Sequence, residues 1–135
     1  MALAVNRASE DPDVALLDQV YRQALRTSIK EAAESLQTLL TRQVAAYVVG
    51  VKDVKTISRW AKGEVTNIRP DYEKRLRTAY EIMTLLLRFE APETVRAWFI
   101  GMVPQLDDGS PARAIHEGRL EDAIYAARSF AANGF

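Results

Sequence analysis

The chain contains no cysteine, which excludes disulfides, thiolate metal sites and cysteine nucleophiles. It has a single histidine, His116, so any Ser-His-Asp machinery would depend on that one imidazole; its place in a short helical stretch reads as a surface or interface residue instead. Glycine and proline are few, six and five, and most of them fall at the ends of apparent helices. No long run of alternating β-branched residues is present, and the pattern predicts an all-α fold. No stretch approaches the roughly 20 apolar residues of a membrane span, and the N-terminal MALAVNRASEDPD has no apolar core of signal-peptide length. A cytoplasmic location with no membrane partner is expected. There is no Gly-rich phosphate loop and no metal-ligand cluster, and the Asp107-Asp108 pair in a Gly-Ser-Pro loop reads as turn and capping residues. No catalysis, metal or cofactor is expected.

What is present is a chain of 135 residues, 48% hydrophobic, enough to build a core. The formal charge is zero, but its distribution is uneven: Arg42 to Arg77 holds nine basic and four acidic residues, a balance of +5, flanked by −2 and −3. A neutral chain with one positive block still has a place for phosphates.

That block contains TRQVAAYVVGVKDVKTISRWAKG, Thr41 to Gly63, read as two short helices joined by a tight connection. Thr41 is a good N-cap, and Val44, Ala45, Val48 and Val49 return at helical spacing before Gly50 stops the helix. Asp53 caps a second helix with Val54, Ile57, Trp60 and Ala61 on one face, and Gly63 suits a left-handed C-terminal position. At about 100° per residue, Lys52, Lys55, Arg59 and Lys62 cluster nearly opposite, with Thr56 flanking them. A helix that buries one side and offers Lys, Thr and Arg on the other is what the second helix of a helix-turn-helix requires. Long cations neutralise phosphates, and a forked guanidinium can read guanine. The spacing of Trp60 from Ile57 puts it in the core.

The same run resembles the Xre/Cro type of helix-turn-helix, with Thr41, Gln43, Ala46, Gly50, Ser58, Arg59, Trp60 and Gly63 in the matching places. From Gly50 to Trp60 the chain is one residue longer than the usual pattern, which leaves the choice of base reader open among Lys52, Lys55 and Thr56. The basic face and the resemblance together lead to an expected double-stranded DNA site made by Thr41, Arg42, Gln43, Lys52, Lys55, Thr56, Ser58, Arg59, Lys62 and Arg69, on a homodimer, because one helix-turn-helix reads too few base pairs to be selective.

Elsewhere, residues 1–12 read as a loose tail. A helix is expected from about Pro12, with acidic residues in its first turn, continuing to the edge of Thr41 either as one long helix or as two with a break near Thr27-Ser28. This N-terminal helix either dimerises or closes the core. Pro70-Asp71 opens a long helix through about Phe89, whose Leu76, Ala79, Tyr80, Met83, Leu86 and Leu87 form a buried stripe. Arg69, Lys74 and Arg75 are either its solvated surface or contacts to a DNA backbone. Ala91-Pro92-Glu93 starts the next helix, anchored by Val95, Trp98 and Phe99.

In the final third, Ser110-Pro111 reads as a cap and first helical residue, followed by a short helix to Gly118 and a last one from about Leu120 to Phe130. This block resembles the C-terminal Xre/MbcA/ParS-like toxin-binding domain, matched at Trp98, Pro104, Leu106, Gly109, Pro111, Ile115, Gly118 and Ile124. Asp107-Asp108 lengthens the acidic loop relative to that pattern, and the tail AANGF is short. The resemblance implies an antitoxin that masks a RES-type toxin acting on NAD, with Pro104, Leu106, Asp107, Pro111, Ile115, Gly118 and Phe130 binding the partner. The plain alternative for these residues is packing and helix punctuation.

The expected architecture is thus a helix-turn-helix bundle over residues 13–90, then a small C-terminal helical module over 91–135. The expected function is a sequence-specific DNA-binding regulator, an antitoxin-type repressor. The alternative is a protein-interaction module that neutralises a RES-domain enzyme, with DNA binding secondary or lost.

Overall fold

A computed structural model of the chain describes residues 13–133; the expected tail at 1–12 lies outside them, as do the last two residues. Among the described residues there are eight α-helices and a 3-10 turn, and no strand beyond one isolated bridge between Val103 and Gly109. The fold is all-α. The helices are α1 (Val14–Arg26), α2 (Ile29–Leu40), α3 (Arg42–Val49), α4 (Val54–Ala61), α5 (Pro70–Leu86), α6 (Pro92–Ile100), α7 (Pro111–His116) and α8 (Leu120–Asn133), with the 3-10 turn at Pro104–Leu106.

The caps explain most boundaries. Asp13 accepts from the Ala15 amide at 3.0 Å and opens α1, so the helix starts later than Pro12 and has no acidic residue in its first turn. Between there and Thr41 the chain forms two helices with a break, not one long helix. Thr27 is extended, and Ser28 accepts from the Glu31 amide at 3.0 Å to start α2. Thr41 alone joins α2 to α3: its N–H closes α2 on Gln37 at 2.9 Å while its hydroxyl accepts from the Val44 amide at 3.4 Å. That double duty holds it at φ 86°, ψ 161°, a region suited to glycine and costing of order 1–3 kcal/mol for other residues. α5 ends at Leu86, short of Phe89, and Leu87 is exposed and outside the stripe.

Three arginines supply further donors to carbonyls at helix ends. Arg77 of α5 donates to the carbonyls of Ala24 and Thr27, both at 2.7 Å, and to Glu73 at 2.8 Å, pinning the end of α1. Arg96 of α6 donates to the Leu39 carbonyl at 2.7 Å, at the end of α2. Arg75 donates to the Ile115 carbonyl at 3.2 Å, at the end of α7, and to Asp71 at 3.3 Å.

The core does not divide at the expected boundary of 90 and 91. One cluster of buried side chains runs from Ala24 to Phe130, joining Leu36, Ile57 and Leu76 to Trp98, Ile115 and Ala127. α5 lies at its centre, packed by α1, α2, α3, α7 and α8. The one buried charged side chain among the described residues is Glu81 on this helix, and burial pushes its carboxyl above the usual range, opposed by the field of Arg128.

Replacing Arg77 with Met keeps the stem and removes the donors for two carbonyls at the end of α1. A loss of about 1–3 kcal/mol in urea unfolding is expected, and an unchanged midpoint would show that the tie contributes nothing. For Glu81 the sign comes from linkage: the folded chain holds the proton more tightly than the unfolded chain. Stability from this group is therefore full below the ordinary carboxylate pKa and is lost as pH rises through the raised folded value. Glu81→Gln should melt above the parent at neutral pH, with the gap closing on acidification. A gap constant with pH would remove Glu81 as its source.

Candidate nucleic-acid interface

α4 is set by sequence on two sides. Its Ile57, Trp60 and Ala61 are buried against α2 and α3, and Asp53 caps it by accepting from the Lys55 amide at 2.9 Å. Trp60 stacks obliquely on Tyr72 of α5 with ring centroids 6.4 Å apart, which fixes α4 against the central helix. The joint before it needs Gly50, at φ 95°, where a Cβ would lie 3.3 Å from the Arg75 guanidinium. After it, Gly63 takes φ 87°.

The outward side carries Lys55, Arg59 and Lys62, all at the surface, with Lys52 exposed just before the helix. Among the described residues no carboxylate forms an ion pair with any of these four. Arg59 is steadied by the neighbouring turn, donating to the Thr56 hydroxyl at 3.4 Å. Arg42 and Gln43 are exposed at the start of α3, the helix packed beside α4. Thr41 is exposed too, but its hydroxyl is taken up by the cap.

Two expected members do not belong to this face. Ser58 Oγ is buried without a hydrogen-bond partner, so it points into the protein, away from any ligand at the surface. Arg69 is committed elsewhere: it chelates Asp71 at 3.0 and 3.1 Å, donates to the Tyr72 hydroxyl at 3.3 Å and lies 4.6 Å over that ring. Of the other two cations weighed as backbone contacts, Arg75 is tied inside the fold and Lys74 is exposed.

The residues expected to bind a partner separate in the same way. Leu106, Pro111, Ile115 and Phe130 are buried in this chain's own core and offer a partner little surface. Pro104, Asp107 and Gly118 are exposed. Asp107 and Asp108 have φ 55° and 61°, the left-handed turn conformation their position suggests. Ser110 caps α7 through the Arg113 amide at 3.0 Å, with Pro111 first in the helix.

His116 is held against α3. Its ring stacks on Tyr47 of α3, centroids 4.1 Å apart and planes 4° from parallel, and Nδ1 lies 2.6 Å from the Tyr47 carbonyl. This contact ties α7 to the first helix of the pair, and nothing local in the sequence marks it. Just beyond, Arg113 and Arg119 hold the Glu117 carboxyl below its usual range by hydrogen bonds at 3.0 and 3.1 Å.

No family model, curated protein or solved structure matches the chain.

Trp60→Ala separates packing from contact. With only 6% of the residue exposed, truncation should cost about 3–5 kcal/mol in chemical unfolding. Unchanged stability with lost ligand binding would instead make the indole a contact residue.

Proposed function

We propose that the protein is a sequence-specific DNA-binding regulator of the helix-turn-helix type, acting without catalysis and as a homodimer. The observation that carries this reading is α4: a helix anchored by Ile57, Trp60 and Ala61 whose other side presents Lys55, Arg59 and Lys62 with no carboxylate among the described residues to neutralise them. Unpaired cations on a rigid helix are available to phosphates at no cost in broken ion pairs, and Arg59 has the fork that reads guanine. Arg42 and Gln43 at the start of the neighbouring helix add a cation and an amide of suitable chemistry. The order Thr41, Gln43, Ala46, Gly50, Ser58, Arg59, Trp60 and Gly63, which resembles the Xre/Cro pattern, supports the same reading. Dimerisation is required because one such helix contacts too few base pairs for selectivity.

The role of masking a RES-type toxin, implied by the C-terminal resemblance, has less surface to act through. Four of the seven residues it would use are inside the core. Repression through DNA is therefore the primary reading, with toxin binding secondary to it.

Selecting bound DNA from a random pool should yield a site with two related halves, bound as a dimer by mass. Arg59→Ala should then weaken binding to it by about 1–3 kcal/mol and relax preference at one position, whereas Lys62→Ala should lower affinity evenly across sequences. Failure to enrich any sequence, or equal affinity of Arg59→Ala and parent at matched salt, would overturn the proposal.

A further inference from the structure

A cleft of about 1110 Å³ lies between the second half of α1, α5 and the start of α8. Tyr21 and Leu25 of α1 and Leu120 and Ile124 of α8 give it apolar walls. Tyr21 and Leu25 are half exposed, at 50% and 53%, although they belong to a helix on which Val20 and Ala24 are buried. Glu81 lines the same cleft with only 7% of its surface exposed.

That carboxylate is unusual in its company. Among the described residues no hydrogen bond or ion pair reaches it, and Arg128 acts on it only through space. Buried carboxylates are ordinarily paired, because taking the charge out of water costs far more than a side chain gains by packing. Were packing the only demand, an apolar residue would serve α5 better at this position, as Ile82 and Met83 do beside it.

The other charges around the cleft are mostly matched. Asp71 is held by Arg69 and Arg75, Glu73 by Arg77, and Asp122 by Arg119 at 3.5 Å. Arg77 is further used by the carbonyls that end α1. Without a partner among the described residues are Glu81 and the exposed Lys74 and Glu121. With Arg128, whose field reaches Glu81 and which has no ion pair of its own among the described residues, these charges sum to zero, and the buried one is the acid.

We propose that this cleft is a binding site for a small amphipathic organic cation, an ammonium or amidinium carried on an aromatic or aliphatic body. The nitrogen donates to the Glu81 carboxylate and supplies the partner that the fold withholds. The body lies between Tyr21 and Leu25 on one side and Leu120 and Ile124 on the other. A cleft of this size accommodates a ligand of drug-like dimensions with room for water, and it sets the Glu81 carboxylate beside the apolar side chains of Tyr21, Leu25, Leu120 and Ile124, with the ion-paired charges also lining it. A cationic donor is favoured over a neutral one because it adds a charge-assisted hydrogen bond to a carboxylate that has none among the described residues.

Phenethylamine, phenethyl alcohol and phenylacetate share one body and differ in charge, so they test the proposal on the full chain. At a pH where Glu81 is ionised, calorimetry should find the amine bound about tenfold or more tightly than the alcohol, with the acid weakest. Amide shifts on titration should centre on Tyr21, Leu25, Glu81 and Ile124. Glu81→Gln should lower affinity for the amine about tenfold while leaving that for the alcohol unchanged. Ile124→Trp, which fills one wall, should weaken the amine and the alcohol alike and keeps the test decisive if Glu81→Gln does not fold. Equal binding of amine and alcohol, unaltered amine binding by Glu81→Gln, or shifts centred outside the cleft would overturn the proposal. So would a basic amphipathic peptide that binds the cleft where the amine does not. None of these measurements involves DNA, so the outcome is independent of the role of α4.

Discussion

The structure depends on the burial of α5. From Leu76 to Leu86 it buries Leu76, Ala79, Tyr80, Ile82, Met83, Leu85 and Leu86, which are distributed around the helix and not confined to one stripe. A helix apolar on nearly all sides has to be surrounded. The rest of the chain supplies the surroundings: α1 and α2 from before it, α3 from the helix pair, α7 and α8 from after it. For this reason the C-terminal helices share one core with the N-terminal ones and do not form a separate module.

The first turns of the same helix do a different job. Arg75 and Arg77 are only a fifth exposed, and each combines an acid one turn earlier with a backbone carbonyl distant in sequence, Ile115 for one and Ala24 and Thr27 for the other. A helix end inside a protein must find donors for its last carbonyls, and an arginine can serve two at once while keeping its own charge matched. Arg96 donates to the Leu39 carbonyl at the end of α2, without an acid partner among the described residues. Cations that look like surface charge are thus structural, and this sharpens the contrast with α4. Lys55, Arg59 and Lys62 have no such employment, and this unmatched positive charge stands together where a phosphate backbone could use it.

The two ends of the helix pair are held by different means. Thr41 accepts an unfavourable backbone conformation so that α2 can stop and α3 start without an intervening loop. At the other end α4 is fixed by the indole of Trp60 on Tyr72, whose ring also carries Arg69. The angle between α3 and α4 is therefore defended by packing on both sides of the left-handed Gly50. The DNA reading proposed for α4 would require the helix to be held in a fixed orientation, and these contacts hold it against its neighbours.

Local sequence determined the helices, most of their ends and the two-sided character of α4. Asp13, Ser28, Asp53 and Ser110 cap where they stand, Pro70, Pro92 and Pro111 each open a helix, and Gly50, Gly63 and Gly118 take left-handed conformations. These effects act within a turn or two of chain, so they can be read from neighbours in sequence. Tertiary structure alone decided which charges are free. Arg69 and Arg75 resemble Arg59 in composition and in the basic block they share, yet their guanidiniums are committed to Asp71, Tyr72 and Ile115. Leu106, Ile115 and Phe130 read equally as partner surface or core until the fold closed over them. The cleft around Glu81 and the His116–Tyr47 stack join residues tens of positions apart. Periodicity reports the face of a helix on which a residue lies, but only packing determines what that face meets.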